Sequence, residues 1–448
     1  MAYKSARHAA VVALLQIQQE GGYSNIVLDE MLHKLPLSEN DRRLTTRLIY
    51  GVIERRLTID FLLNRLSSVP VVKMESSVRE ILRVGVYQLQ FMDKTPAFAA
   101  INESVELTRS MGFPRLSGFV NGVLRAVQRE GDALILSLPA TDKGEELRTS
   151  CPRGWIRYWR DAYGEATARG LLDCINEAPP AYIRVNTLRT TAKALSAALE
   201  GYGVSCCSVD GLPDALRITA GSAMQRLPAD IKALFYFQDI ASQWCCYALQ
   251  AKPGERIADV CAAPGGKSFT VAQYMGDDGY ILSSDIYPNK CDVMTERAHE
   301  LGIHCVQAVC RDATLPPDAA LSGSFDRVIC DAPCSGLGVI RRKPEIRYKA
   351  TDAFESLPST QLTILNQAAE LVRPGGVLQY STCTLRPEEN QMVTAAFLEQ
   401  NPSFVPRVLP LSLCFEQAGM APSHEITLFP HVHGSDGFYI AGFTRQDS

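Results

Sequence analysis

From residue 4 to about 130, apolar positions recur at intervals of three and four, as at Ala9, Val12, Ala13 and Ile17, and proline and glycine break the runs. This spacing predicts helix after helix, and nothing there alternates as a strand does. Ser38-Glu-Asn-Asp41 has the form of a capping box and predicts the start of a long helix carrying Arg42, Arg43, Arg47, Arg55 and Arg56. A polar, turn-rich stretch follows at 131–150. Trp155, Tyr158 and Trp159 then open a second part, which includes a strand-like run over 182–189. From residue 236 the pattern changes again: short apolar runs at 256–261, 279–285, 325–330 and 376–382 are separated by helical stretches. Strands alternating with helices predict a parallel, doubly wound α/β sheet.

With 448 residues there is room for about three domains with full-sized cores. The expected division is 1–145, all helical; 146–235, a small α/β piece; and 236–448, the doubly wound domain. Lys and Arg number 45 against 49 Asp and Glu, but the balance is uneven. Up to residue 130 there are 17 basic and 13 acidic residues, and beyond it 28 and 36. A +4 module on a −8 body fits a polyanionic partner, or else a solvated helix face. In the second part, Arg153, Arg157, Arg160, Arg184 and Arg189 interleave with aromatics, which fits a single-stranded nucleic-acid groove or an ordinary core. No apolar run reaches about 18 residues and none resembles a signal segment, so no membrane association and a cytoplasmic location are expected. The 14 cysteines read as free thiols. There is no C-x-x-C pair, and His431-x-His433 stands alone, so no metal is expected.

The sharpest local feature is 259–268 (DVCAAPGGKS), a strand running through small residues into a helix start. Such a loop lets a ligand approach backbone N–H groups and the helix N-terminus. A phosphate-binding P-loop would need glycine five positions before Gly266, where Cys261 stands, and G-x-G-x-x-G is also absent. What remains is a loop suited to a nucleoside with little or no phosphate. Asp285, at the end of the next strand, is placed to accept hydrogen bonds from ribose hydroxyls, or to cap the following helix. Asp312 follows the third strand, where the same crevice continues or an ordinary loop begins. Asp331 with Cys334, and Ser381 to Thr384 with Cys383, follow the fourth and fifth strands. Two thiols and a carboxylate therefore converge on one crevice, and such thiols are candidates for nucleophilic work.

Several segments carry a family resemblance. The runs 81–89 (ILRVGVYQL), 101–107 (INESVEL) and 119–124 (FVNGVL) resemble the RNA-binding NusB family over about the first 130 residues. The motifs 261–267 (CAAPGGK), 331–336 (DAPCSG), 340–345 (IRRKPE), 382–383 (TC) with 387–390 (PEEN), and 436–438 (DGF) resemble the Sun family of S-adenosylmethionine-dependent RNA cytosine-C5 methyltransferases. The resemblance implies a Rossmann-like methyltransferase domain behind an all-α NusB-like domain. It places S-adenosylmethionine along Cys261, Ala262, Ala263, Pro264, Gly265, Gly266 and Lys267, with Asp285 on its ribose, Asp312 near its adenine and Asp331 bordering it. It makes Cys383 the thiol that adds to carbon 6 of cytosine, Cys334 the thiol that assists resolution of the adduct, and Asp331 the group that hydrogen-bonds the pyrimidine. Small-subunit (16S) ribosomal RNA, at cytosine 967, is the implied substrate, and a monomer is expected. A cytosine inside a helix cannot present carbon 6 to a buried thiol, so the target must be unpaired or flipped out. Arg341, Arg342 and Lys343 fit phosphate contacts or a solvated charge run. The rival readings are an RNA-binding scaffold without catalysis, a C5-methyltransferase acting on another RNA, and a DNA cytosine methyltransferase. The complete set of thiols, carboxylate and cofactor loop favours an enzyme over the scaffold. The extra Thr-Cys motif and the N-terminal module argue against the DNA enzyme.

Overall fold

A computed structural model describes residues 5–20, 28, 31, 37–221, 224–411 and 422–447. The chain forms two compact units, Met1–Glu177 with Ile340–Ala353, and Ala178–Val339 with Phe354–Ser448.

The described residues of the first unit are helical, with no strand. Helices span Ala6–Glu20, Glu39–Glu54, Arg56–Leu66, Ser76–Phe91, Ala97–Ser110, Ser117–Leu136, Asp142–Thr149 and Arg153–Cys174. Their apolar faces meet in a core that includes Leu48, Ile49, Leu62, Ile81, Leu82 and Leu124, as the three-and-four spacing predicts. Gly51 lets two of these helices approach, because a Cβ there would overlap the Tyr87 ring. Ser38 caps Glu39–Glu54: its Oγ accepts from the Asp41 N–H at 3.1 Å and donates to the Asp41 carboxylate at 2.6 Å.

The expected basic face differs from the sequence reading. The helix stops at Glu54, so Arg55 is its C-cap and Arg56 begins the next helix. Arg55 lies 4.9 Å over the Phe91 ring and Arg56 3.6 Å over the Tyr348 ring, while Arg43 pairs with Glu39. Much of that charge is therefore spent on internal partners. Trp155 and Trp159 are core residues with 1% exposure, and Trp155 Nε1 donates to the Lys349 carbonyl at 3.2 Å. Arg157 and Arg160 pair with Asp142 at 2.9 and 2.7 Å, and Arg153 with Glu146 at 3.4 Å. The core reading holds for Trp155 and Trp159, and the groove reading is left to the exposed Arg153, Arg157 and Arg189. Helical spacing alone cannot separate the two, because an amphipathic face looks the same whichever neighbour covers it.

The second unit holds two sheets. Strands β1 (Ala181–Val185), β2 (Ser205–Val209), β3 (Leu212–Ala220) and β4 (Phe235–Phe237) form an antiparallel sheet in the order β2-β3-β1-β4. Arg184, on β1, is 1% exposed and bonds Gln273 Oε1 at 3.0 Å, so it too is no groove residue. The larger sheet comprises β5 (Arg256–Asp259), β6 (Tyr280–Asp285), β7 (Val306–Cys310), β8 (Phe325–Asp331), β9 (Val372–Thr382), β10 (Phe404–Pro406), β11 (Glu425–Leu428) and β12 (Phe438–Arg445). Its order is β10-β12-β9-β8-β5-β6-β7, with β11 pairing on β12. The five strands β5 to β9 are parallel, as expected, while β12 runs antiparallel to β9, β10 and β11. Helices Gly266–Tyr274, Pro288–Leu301, Leu357–Leu371 and Gln391–Gln400 accompany it. No helix among the described residues is long and apolar enough to cross a membrane.

Candidate active site

The chain proceeds from β5 outward to β6 and β7, then returns to β8 on the other flank of β5. This reversal opens a crevice beyond the carboxyl ends of β5 and β8, where doubly wound sheets bind ligands. The loop after β5 runs along the crevice, held by the Ala262 N–H donating to the Ser284 carbonyl at 2.8 Å. Gly265 caps the helix Gly266–Tyr274 with φ 97°, and a Cβ there would overlap the Phe269 ring, so glycine is required twice over. Asp259, fully buried at the end of β5, accepts from Ser268 Oγ at 2.7 Å through Oδ2, and its Oδ1 has no partner. Burial pushes its carboxyl up to about 7, against the Ser268 hydrogen bond.

A pocket of about 200 Å³ is lined by Asp259, Cys261, Ala262, Ala263, Pro264, Gly266, Lys267 and Asp331, together with Phe237, Gln238, Asp239 and Ser242. Asp285 and Asp312 lie outside that lining. Asp285 Oδ2 accepts from the Ala263 N–H at 3.3 Å, which ties the end of β6 to the loop. Beside it, Ile286 and Tyr287 are 51% and 54% exposed. Asp312 accepts from the Thr314 N–H and hydroxyl at 2.9 and 2.7 Å, and these bonds hold its carboxyl below the usual range. A carboxylate flanked by open apolar side chains, next to a loop of small residues and an unpartnered buried oxygen at Asp259, fits a nucleoside carrying a positive charge.

The two thiols meet beside this pocket. Asp331 ends β8 and stands opposite Ser381 of β9 in register. Its Oδ1 accepts from Ser381 Oγ at 2.7 Å and its Oδ2 from Lys267 Nζ at 2.6 Å. Burial works against the Lys267 charge, but Asp331 outweighs it and holds the ammonium protonated above the usual lysine range. Cys334 Sγ and Cys383 Sγ are 3.2 Å apart. The hydrogen bond with Cys383, then burial, then the neighbouring Cys383 and Glu389 side chains, push the Cys334 thiol far up. The Cys383 carbonyl accepts from the Gly338 N–H at 3.0 Å, and the Gly338 carbonyl from the Gly437 N–H at 2.9 Å. This pairing brings the 436–438 motif to the thiol loop.

Sequence reasoning assigned no role to Phe237, Gln238, Asp239 or Ser242, which line the pocket where β4 enters the helix Ile240–Leu249. Their one visible signal, Asp239 before a helix, is that of an N-cap, and Asp239 does accept from the Ala241 N–H at 2.9 Å. In the 341–343 run Arg341 is buried while Arg342 and Lys343 are half-buried, and 340–353 belongs to the first unit.

Comparison with known proteins agrees with this architecture. The family described as 16S rRNA methyltransferase RsmB/F matches residues 246–444, the NusB family matches 4–129, and an RsmF/B-like ferredoxin-like domain matches 151–225. The Synechocystis protein named "Probable ribosomal RNA small subunit methyltransferase B" is 34% identical, over 98% of this chain and 99% of its own. The Sodalis glossinidius ribosomal RNA small subunit methyltransferase B is 31% identical over 98% of both chains. The crystal structure of PH0851 shares the fold at 24% identity, with a TM-score of 0.81 over 98% of each chain. A methyltransferase homologue from Pyrococcus horikoshii is 27% identical, with a TM-score of 0.58 over 69% of this chain and 100% of its own. The chain belongs to the RsmB/F family of S-adenosylmethionine-dependent 16S rRNA methyltransferases.

Proposed function

We propose that this methyltransferase acts on carbon 5 of a cytosine in 16S rRNA, cytosine 967 by family resemblance, through a covalent adduct with Cys383. The observation that carries the reading is the approach of Cys334 and Cys383 to 3.2 Å beside Asp331. Carbon 5 of cytosine is a poor nucleophile, and addition of a thiolate to carbon 6 makes it an enamine carbon. Cys383 forms that sulfur–carbon bond. Cys334 stands against the attacking sulfur and assists the later steps, in which the carbon 5 proton passes to solvent water and the carbon–sulfur bond breaks, returning Cys383 as a thiolate. Asp331 hydrogen-bonds the pyrimidine around N3 and the exocyclic amine, and the Lys267 ammonium behind it offsets negative charge displaced onto the ring.

S-adenosylmethionine supplies the electrophilic methyl group when bound. Cys261, Ala262, Ala263, Pro264, Gly265, Gly266 and Lys267 hold it, with Asp285 on the ribose, Asp312 near the adenine and Asp331 at its border. In this reading residues 1–145 are the NusB-like RNA-binding domain, 146–235 a second RNA-contacting piece and 236–448 the catalytic domain. The protein works as a cytoplasmic monomer.

The test combines bisulfite sequencing of 16S rRNA from cells lacking the protein with denaturing gels of the purified variants. One protected cytosine should become convertible. Cys383→Ala should abolish methylation and any protein–RNA adduct, and Cys334→Ala should accumulate an adduct when cofactor is supplied. An adduct that persists in Cys383→Ala and vanishes in Cys334→Ala would reverse the two roles. No change in protection would remove the cytosine assignment.

A further inference from the structure

The 387–390 motif (PEEN) has no role in the scheme above, yet two of its residues reach both thiol loops. Glu389 has a fully buried side chain. Its Oε2 accepts from the Ser335 N–H at 2.8 Å and from Gln361 Nε2 at 3.0 Å. Gln361, also fully buried, donates from the same nitrogen to the Pro333 carbonyl at 2.9 Å. The peptide groups on either side of Cys334 therefore end on one carboxylate–amide pair. Asn390 does the same for the other thiol: its Oδ1 accepts from the Thr382 hydroxyl at 2.5 Å, and its Nδ2 donates to the Thr384 carbonyl at 3.0 Å. Ser335 and Thr384, the residues immediately after the two thiols, share a hydroxyl–hydroxyl bond of 2.6 Å.

A buried carboxylate is costly, and a glutamine would satisfy the same donors without a charge. The charge strengthens the bond to the Ser335 N–H, and the Arg386 guanidinium lies 3.4 Å from its other oxygen. Adjacent residues that each bracket one cysteine are what a site needs if it must hold two thiols in contact while a substrate enters between strand ends.

We propose that Glu389 and Asn390 are positioning residues of the two-thiol site, a side-chain clamp in which Glu389 with Gln361 holds the Cys334 loop and Asn390 holds the Cys383 loop. The clamp matters to catalysis only if the two thiols are the reacting pair proposed above, but the distance it sets can be measured without RNA or turnover.

The measurement is the equilibrium of the full-length protein with glutathione, followed by mass spectrometry of the Cys334–Cys383 pair. One oxidised glutathione and the two protein thiols give one protein disulfide and two reduced glutathiones, so the constant reports how closely the sulfurs are held. Asn390→Ala and Glu389→Ala should each lower it at least tenfold, and Glu389→Gln, which keeps an acceptor for Ser335, should stay within about threefold of the wild type. Thr382→Val removes only the hydroxyl that Asn390 accepts and preserves side-chain shape, so it tests the clamp should an alanine variant fail to fold. Its constant should also fall. S-adenosylmethionine affinity should stay constant throughout, because none of these bonds touches residues 261–267. With RNA, kcat should fall in the variants that lose the disulfide constant, and KM for RNA should not. Constants unchanged in Asn390→Ala and Thr382→Val, or a fall matched by weaker cofactor binding, would overturn the clamp. A lowered constant with no change in kcat would leave the clamp standing and count against the reading of the thiols as the reacting pair.

Discussion

Asp259→Asn should stabilise the second unit at pH 8 and leave it almost unchanged at pH 5. Asp259 is fully buried, with one oxygen on Ser268 at 2.7 Å and the other unpartnered. Burial raises its carboxyl from 3.8 to about 7. In the unfolded chain it titrates near 3.9, so between those values the folded protein holds a proton that the unfolded chain has lost, taking ~3.9 as the unfolded reference. Stability from this residue is thus fully present at low pH and is lost as pH rises through about 7. The span from 3.8 to about 7, at roughly 1.4 kcal/mol per pH unit, amounts to about 4 kcal/mol lost by pH 8. Asparagine keeps the acceptor for Ser268 and never ionises, but its amide brings a buried donor without a partner, at a cost of about 1–2 kcal/mol. The net expectation is near equality at pH 5 and a gain of about 2–3 kcal/mol at pH 8. Calorimetry can follow the transition that S-adenosylhomocysteine raises, which marks the unit holding the pocket. At roughly 2–4 °C per kcal/mol, the variant should melt about 4–12 °C higher at pH 8. A variant destabilised equally at both pH values would refute burial as the source of the shift.

Three further outcomes follow from the site and its supports. Asp285→Ala should weaken S-adenosylmethionine binding by about tenfold to 150-fold in calorimetry, the worth of a charged ribose contact, and unchanged affinity in a folded variant would exclude Asp285 from the cofactor site. Gly338→Ala places a Cβ against the Gly437 carbonyl and 2.7 Å from the Cys383 carbonyl, so methyl transfer should fall at least about tenfold while cofactor affinity holds. Full activity would show that the Cys383 loop tolerates displacement. Arg347, fully buried, donates to the Glu54 and Ile175 carbonyls at 3.2 Å and to Asn176 Oδ1 at 2.9 Å. Arg347→Ala should therefore destabilise the first unit by about 4 kcal/mol in thermal melts, and a loss below about 1 kcal/mol would mean that water replaces those bonds.

The placement of Arg347 also bears on how the protein is cut for study. The segment Ile340–Ala353 folds with the first unit, and Tyr348 OH donates to the Ile53 carbonyl at 2.6 Å. A fragment from 236 to 448 would carry that segment without its partners. It would also lose Arg184 from Gln273 and Asn186 from the Leu301 carbonyl, contacts that join the small sheet to the cofactor-loop helix and its neighbour.

The local signals in the chain were sufficient for most of its elements and for marking candidate groups at the strand ends. Helical periodicity up to residue 130, the Ser38 cap and the alternation of apolar runs with helices are properties of short windows, and the described residues carry the elements they predict, except that the helix after Ser38 stops at Glu54. Motif spacing likewise marked the β5 loop, Asp331, Cys334 and Cys383, because small residues and thiols at strand ends are local chemistry. What a window cannot contain is the partner of a buried polar group. Arg56 read as part of a basic helix, and Arg184 as either groove or core, until Tyr348 and Gln273 come from 292 and 89 residues away in the chain. The antiparallel strand β12 beside β9, the return of 340–353 to the first unit and the entry of Phe237 to Ser242 into the pocket wall are decisions of the same kind. The thiols lie 3.2 Å apart on loops hydrogen-bonded to Gln361, Glu389 and Asn390, and only tertiary packing brings those side chains to both loops at once.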